Sequence, residues 1–86
     1  MHDITFTPQA FKEYLEWLAE DKKTFSKINE LIKDIQRNGL SAGIGKPESP
    51  KHIKGYSRRI DETNRLVYAA DEKQNVRILS CKGHYI

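Results

Sequence analysis

Only one cysteine, Cys81, occurs in the 86 residues, so no internal disulfide can staple the chain. That usage fits a reducing compartment. No apolar run approaches the ~20 residues that a membrane span requires. The opening "MHDITFTP" lacks the basic and then apolar order of a secretion signal. Repeats and low-complexity tracts are absent as well. The three histidines, His2, His52 and His84, have no metal-ligand spacing, and "GIGKPES" does not fit the phosphate-loop pattern. These absences point to a reduced, cytoplasmic protein without a membrane segment, a metal centre or another cofactor. At this length residues 1–86 form one domain with a thin core.

What is present is an uneven charge. Fifteen Lys and Arg against twelve Asp and Glu give a net charge of +3. The excess collects in residues 46–59, "KPESPKHIKGYSRR", where Glu48 is the only acid. A basic stretch interleaved with Tyr and His suits a polyanion such as RNA, although a solvated basic face would look the same.

Hydrophobic periodicity orders the rest. "DITFT" alternates like a short strand. Thr7 and Pro8 then supply an N-cap and a first helical residue. Phe11, Tyr14, Leu15 and Leu18 follow at helical spacing and predict a core-facing stripe. Asp21 is placed to cap a second helix, with Phe25, Ile28, Leu31, Ile32 and Ile35 along its face, and Gly39 ends it. Residues 39–55 read as a long loop, of the kind more often functional than neutral. "YSRRI", "RLVYAA" and "NVRILSCKGHY" then read as three strands joined by two turns. The resulting order, β-α-α-β-β-β, predicts an α+β fold. An antiparallel sheet packs one face against an antiparallel helix hairpin and leaves the other open.

A first hairpin with "ET" or "DETN" as its loop puts Ile60 opposite Arg65 and Arg58 opposite Val67. Arg58 and Arg65 then share a face, and Arg59 takes the other side with Leu66. In the last strand, Ile78, Ser80, Lys82 and His84 alternate with Leu79, Cys81, Gly83 and Tyr85. A sheet with so many cations, one histidine and a nearby carboxylate suits RNA cleavage by the ribose 2′-hydroxyl. That reaction needs a base, an acid and cations on the phosphoryl oxygens, but no metal. A histidine, with an unperturbed pKa near 6.5, can take either proton-transfer role. Glu48 is the carboxylate of the basic loop. The plain alternative is that Arg65 only pairs with Asp61 or Glu62. Cys81, a lone strand cysteine, reads as buried rather than nucleophilic.

Four strings sharpen this. "KINELIKDI", "GIGKPE", "YSRRIDETNRLVY" and the "SCKGHY" ending, in this order and spacing, resemble the YoeB (Txe/YoeB) toxins of the RelE/ParE superfamily. The likeness runs over nearly the whole chain. It implies a RelE-like fold and a toxin that cuts mRNA in the ribosomal A site. It also implies a homodimer, a YefM-type antitoxin that blocks the site, and toxin–antitoxin complexes that bind operator DNA. Carried over by position, Glu48 resembles the general base and Arg65 the arginine that stabilises the phosphate. His84 resembles the general acid, and Tyr85 the residue that orients the substrate. Lys51 and Arg59 resemble phosphate contacts, while the strand parity above favours Arg58 over Arg59. The chain departs from the family pattern at Gly83, where an aromatic commonly precedes the histidine, and at Ile86, which follows the tyrosine. Two other readings compete: a non-enzymatic basic module that binds an antitoxin or nucleic acid, and the gyrase-inhibiting ParE-like branch. The Glu/His pair argues against the latter.

Overall fold

The computed structural model describes residues 3–51 and 54–83. Strand β1 (Ile4–Phe6) leads through Thr7 into helix α1 (Pro8–Glu20). Thr7 is extended, and its Oγ1 accepts the Ala10 N–H at 3.0 Å, relieving one of the unpaired donors of the first turn. Its own backbone N–H and hydroxyl donate to Ile78 and Leu79 carbonyls, so the helix start is tied to the sheet.

Asp21 alone joins the two helices. Its N–H closes α1 on the Trp17 carbonyl, while its carboxylate accepts from Lys23 and Thr24 to open helix α2 (Lys22–Asn38). With so short a joint α2 folds back, and Tyr14 meets Phe25 at 4.7 Å and donates to Asn29. Gly39 ends α2 with φ of 92°, a left-handed value glycine adopts without Cβ strain.

The α2 stripe is buried as expected, with Ile28, Leu31, Ile32 and Ile35 in the core. The α1 stripe is not. Phe11, Leu15 and Leu18 are 50%, 45% and 43% exposed, and the buried or half-buried face is Ala10, Glu13, Tyr14 and Trp17. That set has the same helical spacing moved by one residue, a turn of about 100°. Polar partners set this rotation. The backbone N–H of Cys81 needs an acceptor and finds Glu13 at 2.8 Å, and the Cys81 carbonyl accepts from the Trp17 indole at 2.8 Å. Hydrophobic counting cannot see such a requirement.

Strands β2 (Tyr56–Arg59), β3 (Arg65–Ala70) and β4 (Val76–Ser80) form the expected antiparallel meander. The sheet order is β1-β4-β3-β2, and β1 runs parallel to β4, so the sheet is mixed rather than wholly antiparallel. Leu66, Tyr68, Val76 and Ile78 point toward the helices and join the core. Among the described residues, no helix is long and apolar enough to cross a membrane.

Candidate functional site

The register of the first hairpin decides which arginine reaches the open face. Arg59 lies opposite Arg65, Arg58 opposite Leu66 and Ser57 opposite Val67. Five residues, 60–64, connect the strands, one more than the longest loop expected, and the odd residue reverses the parity. The Asp61 carboxylate builds this turn by accepting from the N–H groups of Thr63 and Asn64 and from the Asn64 side chain. Burial pushes its pKa up, but the bonds from Asn64 and Thr63 outweigh this and leave it below the ordinary value.

Arg58 therefore cannot contact substrate. It faces the helices at 0% exposure, and every N–H of its guanidinium is used. Nε donates to the Tyr68 hydroxyl at 2.8 Å. Nη1 donates to Asp34 at 2.6 Å and to the Ile44 carbonyl at 2.9 Å. Nη2 donates to the Gly39 and Ala42 carbonyls at 2.8 and 2.7 Å. This pairing holds the Asp34 carboxyl below its ordinary range. Lys82 also leaves the open face. A bulge at Val67/Tyr68 breaks the alternation, so Ile78 and Cys81 both point inward. Lys82 reaches Glu16 and Glu20 of α1 at 3.3 and 3.2 Å and lies over Trp17. Cys81 is buried as expected, and burial pushes its thiol up to about 12.

Glu48 arrives by a separate route. It forms an antiparallel bridge with Ser57, N–H to O=C in both directions, at 2.9 and 2.8 Å. Residues directly opposite in such a pair project to the same face. Glu48, Ser57 and Val67 thus form one row on the sheet face away from the helices, with Ser57 and Val67 buried, and Arg59 and Arg65 form the next. Glu48 and Arg59 are exposed; Arg65 is half-buried.

The salt bridge of the alternative reading, from Arg65 to Asp61 or Glu62, does not form. Its Nη1 donates instead to the Asp61 and Asn64 carbonyls, at 2.8 and 3.1 Å. Among the described residues, no carboxylate neutralises either member of the Arg59/Arg65 pair. Like charges opposite each other on a sheet repel unless an anion lies between them. A groove of about 650 Å³ opens here, lined by Arg59 and Arg65 together with Lys27, Lys46, Asp61 and Glu62. Lys27 and Lys46 were not singled out from the sequence. Lys46 carries a signal, lying inside "GIGKPE", whereas Lys27 on α2 is indistinguishable from other helix lysines. Glu48 lies outside the groove lining, and Lys51 is exposed at a turn beyond it.

Gly83 is bonded to both β3 and the turn that precedes it. Its carbonyl accepts the Arg65 N–H at 3.0 Å, and its N–H donates to Asn64 at 2.7 Å. His84 and Tyr85 follow in the chain and lie outside the described residues.

A helix pair over one face of a small mixed sheet, with a cationic row on the other face, is the RelE-like toxin architecture. The model of the family described as "YoeB-like toxin of bacterial type II toxin-antitoxin system" matches residues 6–85. A curated relative, Toxin YoeB of Mycobacterium bovis, is 46% identical over 87 residues, covering 99% of this chain and all of that protein. The YoeB dimer from Staphylococcus aureus superposes with a TM-score of 0.88 at 51% identity, covering 98% of each chain. The heterotetrameric YoeB–YefM complex from the same organism gives 0.86 at 50% identity, covering 99% of each. The chain belongs to the YoeB-like toxins of bacterial type II toxin–antitoxin systems.

Proposed function

We propose that this toxin is a ribosome-dependent endoribonuclease, an mRNA interferase acting in the cytoplasm on message held in the ribosomal A site. The observation that carries the reading is the Glu48–Ser57 bridge, because it puts an exposed carboxylate on the face of two arginines lacking acidic partners among the described residues. Glu48 takes the proton of the ribose 2′-hydroxyl, and the 2′-oxygen attacks the adjacent phosphorus. The bond to the 5′-oxygen breaks, and His84 protonates that leaving oxygen. The products are a 2′,3′-cyclic phosphate and a 5′-hydroxyl. Arg65 stabilises the charge that grows on the phosphoryl oxygens, its guanidinium already oriented by two carbonyls of the turn. Arg59 and Lys51 hold flanking phosphates, and Tyr85 orients the nucleotide. The assignment of His84 is supported by its neighbour in the chain, Gly83, whose carbonyl accepts the Arg65 N–H. This route uses no metal or cofactor. Residues 1–86 act as one toxin domain.

Relatives support two of the partners, a YefM-type antitoxin and a second toxin copy; operator DNA, bound through the toxin–antitoxin complex, is part of the same reading. The S. aureus relatives are solved as a YoeB dimer and as a YoeB–YefM complex.

The test maps mRNA 5′ ends on translating ribosomes after brief expression. Cuts phased to the A site are expected, and Glu48→Ala and His84→Ala should each lower the rate by about 10²–10⁴-fold, the usual share of acid–base catalysis. Unphased cuts, or full cleavage by both variants, would refute the assignment.

A further inference from the structure

Arg58 lies outside the mechanism, yet its buried guanidinium donates five hydrogen bonds. Its partners are not scattered. Gly39, Ala42 and Ile44 accept directly from the guanidinium, and Leu40 accepts from Tyr68, whose hydroxyl accepts from Arg58 Nε. Asp34, paired to Arg58 Nη1, also accepts the Ile44 N–H at 3.0 Å and an Asn38 amide proton at 2.7 Å. The backbone from Gly39 to Ile44 is thus wrapped around one buried cation. Two glycines permit the wrap: a Cβ on Gly43 would come within 1.9 Å of the Asp34 carboxylate, and one on Gly45 within 2.8 Å of Leu31.

The strand neighbours of Arg58 continue the contact. The Arg59 N–H donates to the Gly45 carbonyl at 2.7 Å, and Ser57 makes the bridge to Glu48. Three consecutive residues of β2 therefore hold the loop at successive points, with the cation in the middle. Buried ionic groups often stabilise no better than apolar residues of equal volume, and their best-attested use is to specify one register. Register matters here because a slip of one residue turns a side chain to the opposite face.

We infer that Arg58 is a positioning residue: with Asp34 and Tyr68 it pins the 39–48 loop in register against β2, which keeps the Glu48 carboxylate on the face of Arg59 and Arg65. The inference rests on Glu48 being the base, and the experiment separates the two.

Tyr68→Phe removes the hydroxyl that links Arg58 to Leu40 and keeps the ring. Asp34→Asn is the second variant, weakening the pin from the other side if Tyr68→Phe fails to fold. Amide hydrogen exchange of Glu48 and Ser57, whose N–H groups make the bridge, should accelerate about tenfold or more, with core amides such as Ile78 moving less. Single-turnover cleavage on programmed ribosomes should slow about tenfold in the Glu48 background with ribosome affinity unchanged. Added to Glu48→Ala, the same substitution should slow it no further. Unchanged exchange at the bridge overturns the pin, and equal losses in the two backgrounds overturn its action through Glu48. If Glu48→Ala alone cleaves like the wild type, the base reading fails and this role falls with it, whereas the exchange result still reports whether the loop is pinned.

Discussion

Replacing Arg58 and Arg59 one at a time by methionine puts the same chemical change at adjacent positions with opposite consequences. Arg58 is wholly buried, and its loss strands Asp34 and frees the 39–44 segment. Breaking a buried hydrogen-bonded charge pair from one side costs about 3–5 kcal/mol. The Gly39, Ala42 and Ile44 carbonyls belong to exposed residues and regain water, and methionine refills part of the volume, so the lower end, about 3 kcal/mol, applies. A domain of this size has a total stability of roughly 4–13 kcal/mol. The melting midpoint of Arg58→Met should fall by roughly 12–24 °C, using about 4–8 °C per kcal/mol. Arg59→Met removes an exposed cation facing a like charge, and stability should stay within about 0.5 kcal/mol. The assay is urea unfolding of both variants beside A-site cleavage. Arg58→Met should shift the midpoint with little change in slope, and Arg59→Met should keep the midpoint and lose cleavage. Equal midpoints, or a wild-type midpoint for Arg58→Met, would refute the account of the buried cation.

Acid should destabilise the fold in a defined window. Asp21 is held below its ordinary value by the Thr24 backbone and side chain, Asp34 by Arg58, and Asp61 by Asn64 and Thr63 against the upward push of burial. Carboxylates depressed on folding stabilise above their unfolded value of 3.8 and lose that contribution as pH falls through the lower native values. Urea midpoints should therefore hold steady with respect to these groups down to about pH 5 and drop below pH 4, less steeply in Asp34→Asn; an identical drop in that variant would show that the pair does not contribute. The Cys81 thiol, raised to about 12 and buried, should alkylate about 1,000-fold more slowly in the native protein than in urea at pH 8. Comparable rates would mean that the site opens readily.

Much of the architecture was legible because it is local. Thr7–Pro8 and Asp21 are short-range capping signals, Gly39 is a short-range stop, and all three act where the sequence places them. The α2 stripe and the three C-terminal strands follow from periodicity alone. The rest depends on features that are not local. Helix α1 turned by one residue to satisfy the Cys81 backbone, the five-residue turn reversed the arginine parity, and β1 chose β4 as a parallel neighbour.

The sequence by itself determined the element order, the family and the stock of chemical groups: one carboxylate in a basic loop, paired arginines and a His-Tyr ending. Only the tertiary structure decided which of two adjacent arginines meets solvent. Side chains on a strand alternate strictly, so one residue in a turn sends Arg58 into the core and Arg59 to the open face. The same packing placed Glu48 opposite Ser57, a pairing across a loop whose partners become neighbours only when the buried guanidinium has gathered the chain around it.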